Sequence, residues 1–171
     1  MIRLSILGLV LGVAACAPRT AAAPADQQVS DAAAGGPAIT LERTPCFGGC
    51  PVYTVSVSPS GQVTYEGRAN VRELGTATAQ IPKQRVDALL VELERAGYFG
   101  FASRYALSEP ACGRYVTDLP AAISSATLGE RTKRIEHDYG CGKAPAALAV
   151  LENRIDEVLG SGRWTGRDKS K

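Results

Sequence analysis

The residues of this 171-residue chain with the most specific chemistry are five cysteines and a single histidine. Cys46, Cys50, Cys112 and Cys141 lie in the body of the sequence, with His137 just ahead of the last of them. Disulfide bonding is one chemistry open to them, and four cysteines allow three connectivities. The pairing favoured is Cys46–Cys50 with Cys112–Cys141. Gly48-Gly49 can make the tight bend between the first two, and the second two fall where the ends of a predicted hairpin meet. In the chain-entropy account the long bridge contributes roughly 3–4 kcal/mol and the short one about 2 kcal/mol. Metal binding is the other chemistry. Cys46-x-x-x-Cys50 with His137-x-x-x-Cys141 has spacings compatible with a Cys₃His zinc site. That set needs reduced thiols and leaves Cys112 over, so no metal ligand is assigned. A CxxxC pair also departs from the CxxC of disulfide oxidoreductases.

Other reactive arrangements fail on the same residues. His137 is the one candidate for a nucleophile–base pair, but Asp138 would point to the opposite face of a strand and could not orient its ring. Gly142-Lys143 superficially matches a phosphate loop, yet His137 stands where the first glycine belongs and Ala144 replaces the Ser/Thr. Asp118, before Leu119-Pro120, reads as a turn residue bonding its own backbone. Arg131 and Lys133 share one strand face while Arg134 points away, which makes a solvated hairpin. The chain is 45% hydrophobic and 21% charged with a net charge of +2. Within residues 38–160, 13 basic side chains face 14 acidic ones, so no basic field exists to focus nucleic acid. No catalytic residue and no cofactor is assigned.

These residues need elements to position them. Ala38–Arg43 is a candidate strand. Val52–Ser58 alternates apolar with polar residues, Pro59-Ser60-Gly61 is a turn, and Gln62–Gly67 resumes the alternation, which together predict a hairpin. Thr76–Ile81 is a further candidate. Pro120–Leu128 and Arg131–Tyr139 predict a second hairpin around Gly129-Glu130. Pro82 opens a helix with Val86, Leu89, Leu90 and Leu93 on one face, ended by Gly97. Pro145 opens another with Leu148, Leu151, Ile155, Val158 and Leu159 on one face, ended by Gly160. Runs of strands followed by single helices predict an α+β two-layer sandwich. The expected form is an antiparallel sheet of four to five strands with both helices on one face. Trp164 is expected to dock on the core.

Outside this domain, placed at residues 38–165, the composition changes. Residues 1–15 carry Arg3, an apolar run from Leu4 to Val13, and small Ala14 and Ala15 before Cys16, which is a signal peptide pattern too short to span a bilayer. Val13-Ala14-Ala15-Cys16 resembles the lipobox of bacterial lipoprotein precursors. The resemblance implies cleavage before Cys16 and acylation of Cys16 with palmitate-type chains; two or more chains anchor stably. Ala17 at the next position, rather than Asp, implies an outer-membrane lipoprotein facing the periplasm. Residues 16–37 read as a flexible Ala/Pro/Gly linker with a reach of roughly 25 Å. Residues 166–171, with Arg167, Lys169 and Lys171, read as a basic disordered tail.

Thr44-Pro45-Cys46-Phe47-Gly48-Gly49-Cys50-Pro51-Val52-Tyr53 resembles the opening of a bacterial family of small exported or lipoprotein domains of unknown function, marked by C-F-G-x-C-P-x-Y. Gly61 and Gly67, Tyr98-Phe99, Thr117-Asp118-Leu119-Pro120 and His137-x-Tyr139-Gly140-Cys141 agree with the same pattern. The resemblance implies a domain boundary and no activity. Two functional classes remain. One is a non-enzymatic envelope lipoprotein, anchored in the lipid membrane through Cys16, that binds an unknown envelope protein or small ligand and no nucleic acid. The alternative is a metal-binding or thiol-dependent enzyme using His137 with Cys46, Cys50 and Cys141.

Overall fold

Tyr53, Val55 and Val57 alternate with Thr54 and Ser56, and this alternation becomes a strand in the computed structural model, which describes residues 36–167. The strand is β2 (Val52–Val57), preceded by β1 (Ile39–Arg43) and followed by β3 (Gln62–Ala69) and β4 (Gly75–Gln80). Ser58 to Gly61 turns the β2–β3 hairpin through a bond from Gly61 N–H to Ser58 O of 3.0 Å. Gly61 has φ +95°, and a Cβ there would stand 2.1 Å from the Ile81 carbonyl oxygen. Only glycine fits that conformation and that approach.

Helix α1 (Lys83–Arg95) follows Pro82 and buries Val86, Leu89, Leu90 and Leu93. A short 3₁₀ turn, Tyr98–Gly100, leads to β5 (Arg104–Tyr105). The second hairpin is β6 (Ala121–Leu128) and β7 (Arg131–Asp138). Helix α2 (Ala146–Leu159) follows Pro145 and ends at Gly160, which has φ +71°. One more short helix, α3 (Gly162–Thr165), places Trp164 against the Tyr65 ring, 4.9 Å between centroids.

The class is α+β, and the six predicted segments all pair. The sheet is larger than expected, however. Among the described residues it has seven strands in the order β4-β3-β2-β1-β6-β7-β5, not four to five, and it is mixed rather than antiparallel. The addition that breaks the antiparallel pattern is β5, which runs parallel to β7 with Arg104 beside Glu136 and Tyr105 beside His137. Two residues cannot show a period-two pattern. The segment is drawn in by its surroundings, through Glu136 N–H to Ser103 O at 3.0 Å.

One face of the sheet carries Ile39, Leu41, Val55, Val57, Val63, Tyr65, Ala122, Ala126 and Ile135, all buried under the helices. The other face is rich in Thr and Ser; there Thr40 Oγ1 and Ser125 Oγ bond at 2.6 Å. The predicted leader, Cys16, the linker before Gly36 and the last four residues, with Lys169 and Lys171, lie outside the described residues.

Candidate functional site

The β1 alternation carries Ile39 and Leu41 into the core and brings Arg43, next on the same face, to the end of the sheet. There Arg43 meets α2. Its Nε and Nη2 donate to Asp156 Oδ2 at 3.1 and 2.8 Å, and Nη2 also donates to Asn153 Oδ1 at 3.1 Å. Asp156 Oδ1 accepts from Tyr53 Oη and from Ser161 Oγ, both at 2.6 Å. Arg43 Nη1 donates to Tyr139 Oη, and Tyr139 Oη donates to Glu152 Oε2 at 2.7 Å. Both Glu152 oxygens lie 3.1 Å from His137 Nδ1. One polar seam thus runs from Ser161 and Tyr53 through Asp156, Arg43, Tyr139 and Glu152 to His137.

The electrostatics follow from burial and neighbours. Burial disfavours the Arg43 charge more than any one neighbour favours it, but Asp156, Tyr139 and Tyr53 together outweigh burial and raise its pKa. Tyr53 is pushed well above the ordinary tyrosine value, first by burial and then by the charge of Asp156. Tyr139 is raised too, first by burial, with Glu152 adding to it and Arg43 opposing. Both phenols therefore keep their protons at neutral pH. Both carboxylates are acceptors with their lone pairs engaged. The arrangement holds these side chains in place through shared hydrogen bonds.

Arg43, Tyr53, Tyr139, Asn153, Asp156 and Ser161 form part of the wall of an open cleft of about 1020 Å³. Its rim includes Thr44, Cys50, Pro51, Pro120 and Val150. Arg154 is on the rim with Glu92 at 3.1 Å and Glu157 at 2.9 Å. The loop continuing from Thr44 is closed by the Cys46–Cys50 disulfide, with Cα atoms 5.7 Å apart. It presents Phe47 at 89% exposure, and Phe47 N–H donates to Asp118 O at 3.1 Å. Leu119 and Val116, on the segment beside it, are also exposed. Asp118, read as a turn residue, holds φ +71°.

The second disulfide joins Cys112 to Cys141, 4.5 Å between Cα atoms, and pins the 106–120 segment to the end of β7. The predicted residues are thus placed in two groups. Cys46 with Cys50 and Cys112 with Cys141 each form a bond, so Cys141 offers no thiolate beside His137. Asp138 lies on the face opposite His137, accepting from Tyr115 Oη at 2.9 Å. Lys143 folds its side chain over Gly113. Among the described residues no three His, Cys, Asp or Glu side chains converge as a metal site.

Glu152, Arg43 and Asp156 were missed by sequence reasoning. The signal for Glu152 is local. It stands between Leu148, Leu151 and Ile155 on the apolar stripe of α2, where a charge is out of place unless paired. Arg43 has the matching signal, as a charge at the inward phase of β1.

A family profile described as Domain of unknown function (DUF6438) matches residues 37–159. No curated protein matches the chain.

Proposed function

The chain belongs to the family Domain of unknown function (DUF6438), and on that premise we propose that it is a membrane-anchored periplasmic lipoprotein whose domain is a non-enzymatic binding module. Cys16 carries the acyl anchor, by the likeness of Val13-Ala14-Ala15-Cys16 to a lipobox, and the outer membrane is its site. Two disulfides in a small domain fit an oxidising compartment. The ligand face is the cleft beside Arg43.

The observation that supports this reading is the internally satisfied seam that walls the cleft. Arg43 is spent on Asp156, and both tyrosines stay protonated, so the wall offers fixed polar groups and no free acid or base. The cleft's lining charges also sum to zero: Arg43 faces Asp156, Arg154 lies between Glu92 and Glu157, and Arg167 supplies the third positive charge. Such a surface fits a ligand without net charge. An apolar group on that ligand would find Pro51, Pro120 and Val150.

Photo-crosslinking in cells tests the module. A photoreactive residue at Val150, 65% exposed on the cleft rim, is expected to give a discrete adduct, and one at Val91 on α1 none. Arg43→Lys, which keeps the charge and loses the planar fork, should weaken the Val150 adduct. Equal labelling from both positions sinks the cleft as the binding face. The anchor is tested separately by Cys16→Ser, which should move the chain from the membrane to the soluble fraction.

A further inference from the structure

The two edges of the sheet are finished differently. At one, β5 has two residues and gives way to the segment held by Cys112–Cys141, so there is little strand to pair with. At the other, β4 is six residues long, and its sequence, Gly75-Thr76-Ala77-Thr78-Ala79-Gln80, is exposed or half-buried throughout. Natural edge strands are protected by lysine, proline, bulges, brevity or a cover. None of these occurs between Gly75 and Gln80.

The phase of β4 is fixed by one bond. Ile81 N–H donates to Gly61 O at 2.9 Å, in step with the β3–β4 register that pairs Val63 with Ala79 and Thr64 with Thr78. Antiparallel bonding alternates, so Ala79, Ala77 and Gly75 turn their backbone groups toward β3. Thr76, Thr78 and Gln80 therefore aim theirs away from the sheet.

We propose that this edge pairs with β4 of a second copy of the chain, antiparallel, about a two-fold axis through the Thr78 pair. That register sets Thr76 of each copy opposite Gln80 of the other and Thr78 opposite Thr78. All the outward amides and carbonyls are then matched, in about six N–H···O bonds. Beyond the paired strands, Glu73 of one copy and Lys83 of the other come to the same end of the pair, opposite charges that favour a second copy as the occupant; Lys83 already holds Asp87 within its own helix. The small Ala77 and Ala79 leave room between the two sheets' covered faces. Helix α1 leaves the end of β4 and contacts β6, so it does not lie along this edge. The product is one continuous sheet in a symmetric pair, with an isologous interface.

Two six-residue strands bury less than the roughly 1,200 Å² of a stable complex. The pair is therefore weak in dilute solution, and its test must trap it. In a hydrogen-bonded antiparallel pair the two Thr78 Cα atoms would be about 5.5 Å apart, inside the roughly 4.4–6.8 Å range that a disulfide spans. The experiment is oxidative crosslinking of the purified full chain carrying Thr78→Cys. Thr64→Cys, on the same face but one strand in from the edge, is the control, and the parent chain sets the background. Thr78→Cys is expected to dimerise at least about tenfold faster than Thr64→Cys, as its geometry allows. Adding Thr76→Lys with Gln80→Lys sets lysines opposite each other across the axis, and like charges there are destabilising. That variant, still folded by circular dichroism, should return to the control rate. Equal rates for the two cysteine positions, or a rate unmoved by the lysines, overturn the proposal.

Discussion

Glu152 and Asp156 stand one turn apart on α2 and hold neighbouring stretches of the same seam, but their surroundings differ. Glu152 has no exposed side-chain surface, and its partner His137 has 5%. Asp156 and Arg43 are 20% and 12% exposed at the cleft. A sealed carboxylate can serve only the fold, because any loss leaves its partners without water. One at a cleft wall can serve the fold and still be met by a ligand. The difference separates a structural charge from a candidate binding charge on one helix face.

Removing the sealed member is expected to have the largest effect. Glu152→Ala leaves His137 and Tyr139 without their acceptor in the core and should destabilise by about 3–5 kcal/mol, read as a lower urea midpoint with an unchanged slope. A cost near that of an ordinary surface substitution would show that water reaches Glu152. Asp156→Ala comes next, at about 2–3 kcal/mol, because the cleft lets water reach part of what it leaves behind. If it cost more than Glu152→Ala, the ranking by burial would be wrong.

What the sequence disclosed and what it hid divide along the same line. The hairpins at Val52–Gly67 and Pro120–Tyr139 were legible from alternation and turn residues, and both long helices from their stripes and the prolines before them. The domain class and the favoured cysteine pairing were readable for the same reason, that each rests on short-range pattern. The seam was not. Arg43 and Asp156 are 113 residues apart, and nothing local says that β1 will end over the C-terminal half of α2. Strand β5 was hidden because its place depends on β7. Even so, Glu152 left a local mark as a charge inside an apolar stripe, and reading that stripe for its apolar members alone passed over it.

A smaller effect sharpens the comparison from the cleft side. Tyr53→Phe deletes one of the donors to Asp156 and should cost about 1.5 kcal/mol, the low end for a hydrogen bond to a charged group. Its pH dependence has a definite sign. The folded-state pKa of Tyr53 lies above the unfolded value of about 10. The stability it contributes is therefore fully present below pH 10 and is lost as pH rises from there through the folded value. Alkaline melting curves of the parent should fall steeply in that window, and those of Tyr53→Phe less steeply. Identical slopes would place the alkaline transition on other tyrosines, such as Tyr98, whose burial pushes it up to about 12.

The smallest expected effect has the opposite sign and lies one ring away. Tyr53 and Tyr65 pack at 5.5 Å between centroids, yet their hydroxyls differ. Tyr53 Oη reaches Asp156, whereas Tyr65 Oη is the one buried side-chain polar atom among the described residues without a hydrogen-bond partner. Burying an unpaired hydroxyl costs free energy, and removing it while keeping the ring relieves that cost. Tyr65→Phe should therefore be neutral or stabilise by up to about 1 kcal/mol, with the stack on Trp164 retained. Thermal denaturation of the two Tyr→Phe variants side by side reads the contrast directly. A loss at Tyr65 equal to that at Tyr53 would mean that a bound water completes Tyr65 Oη, and the seam would then extend beyond Tyr53 toward the β3–β4 turn.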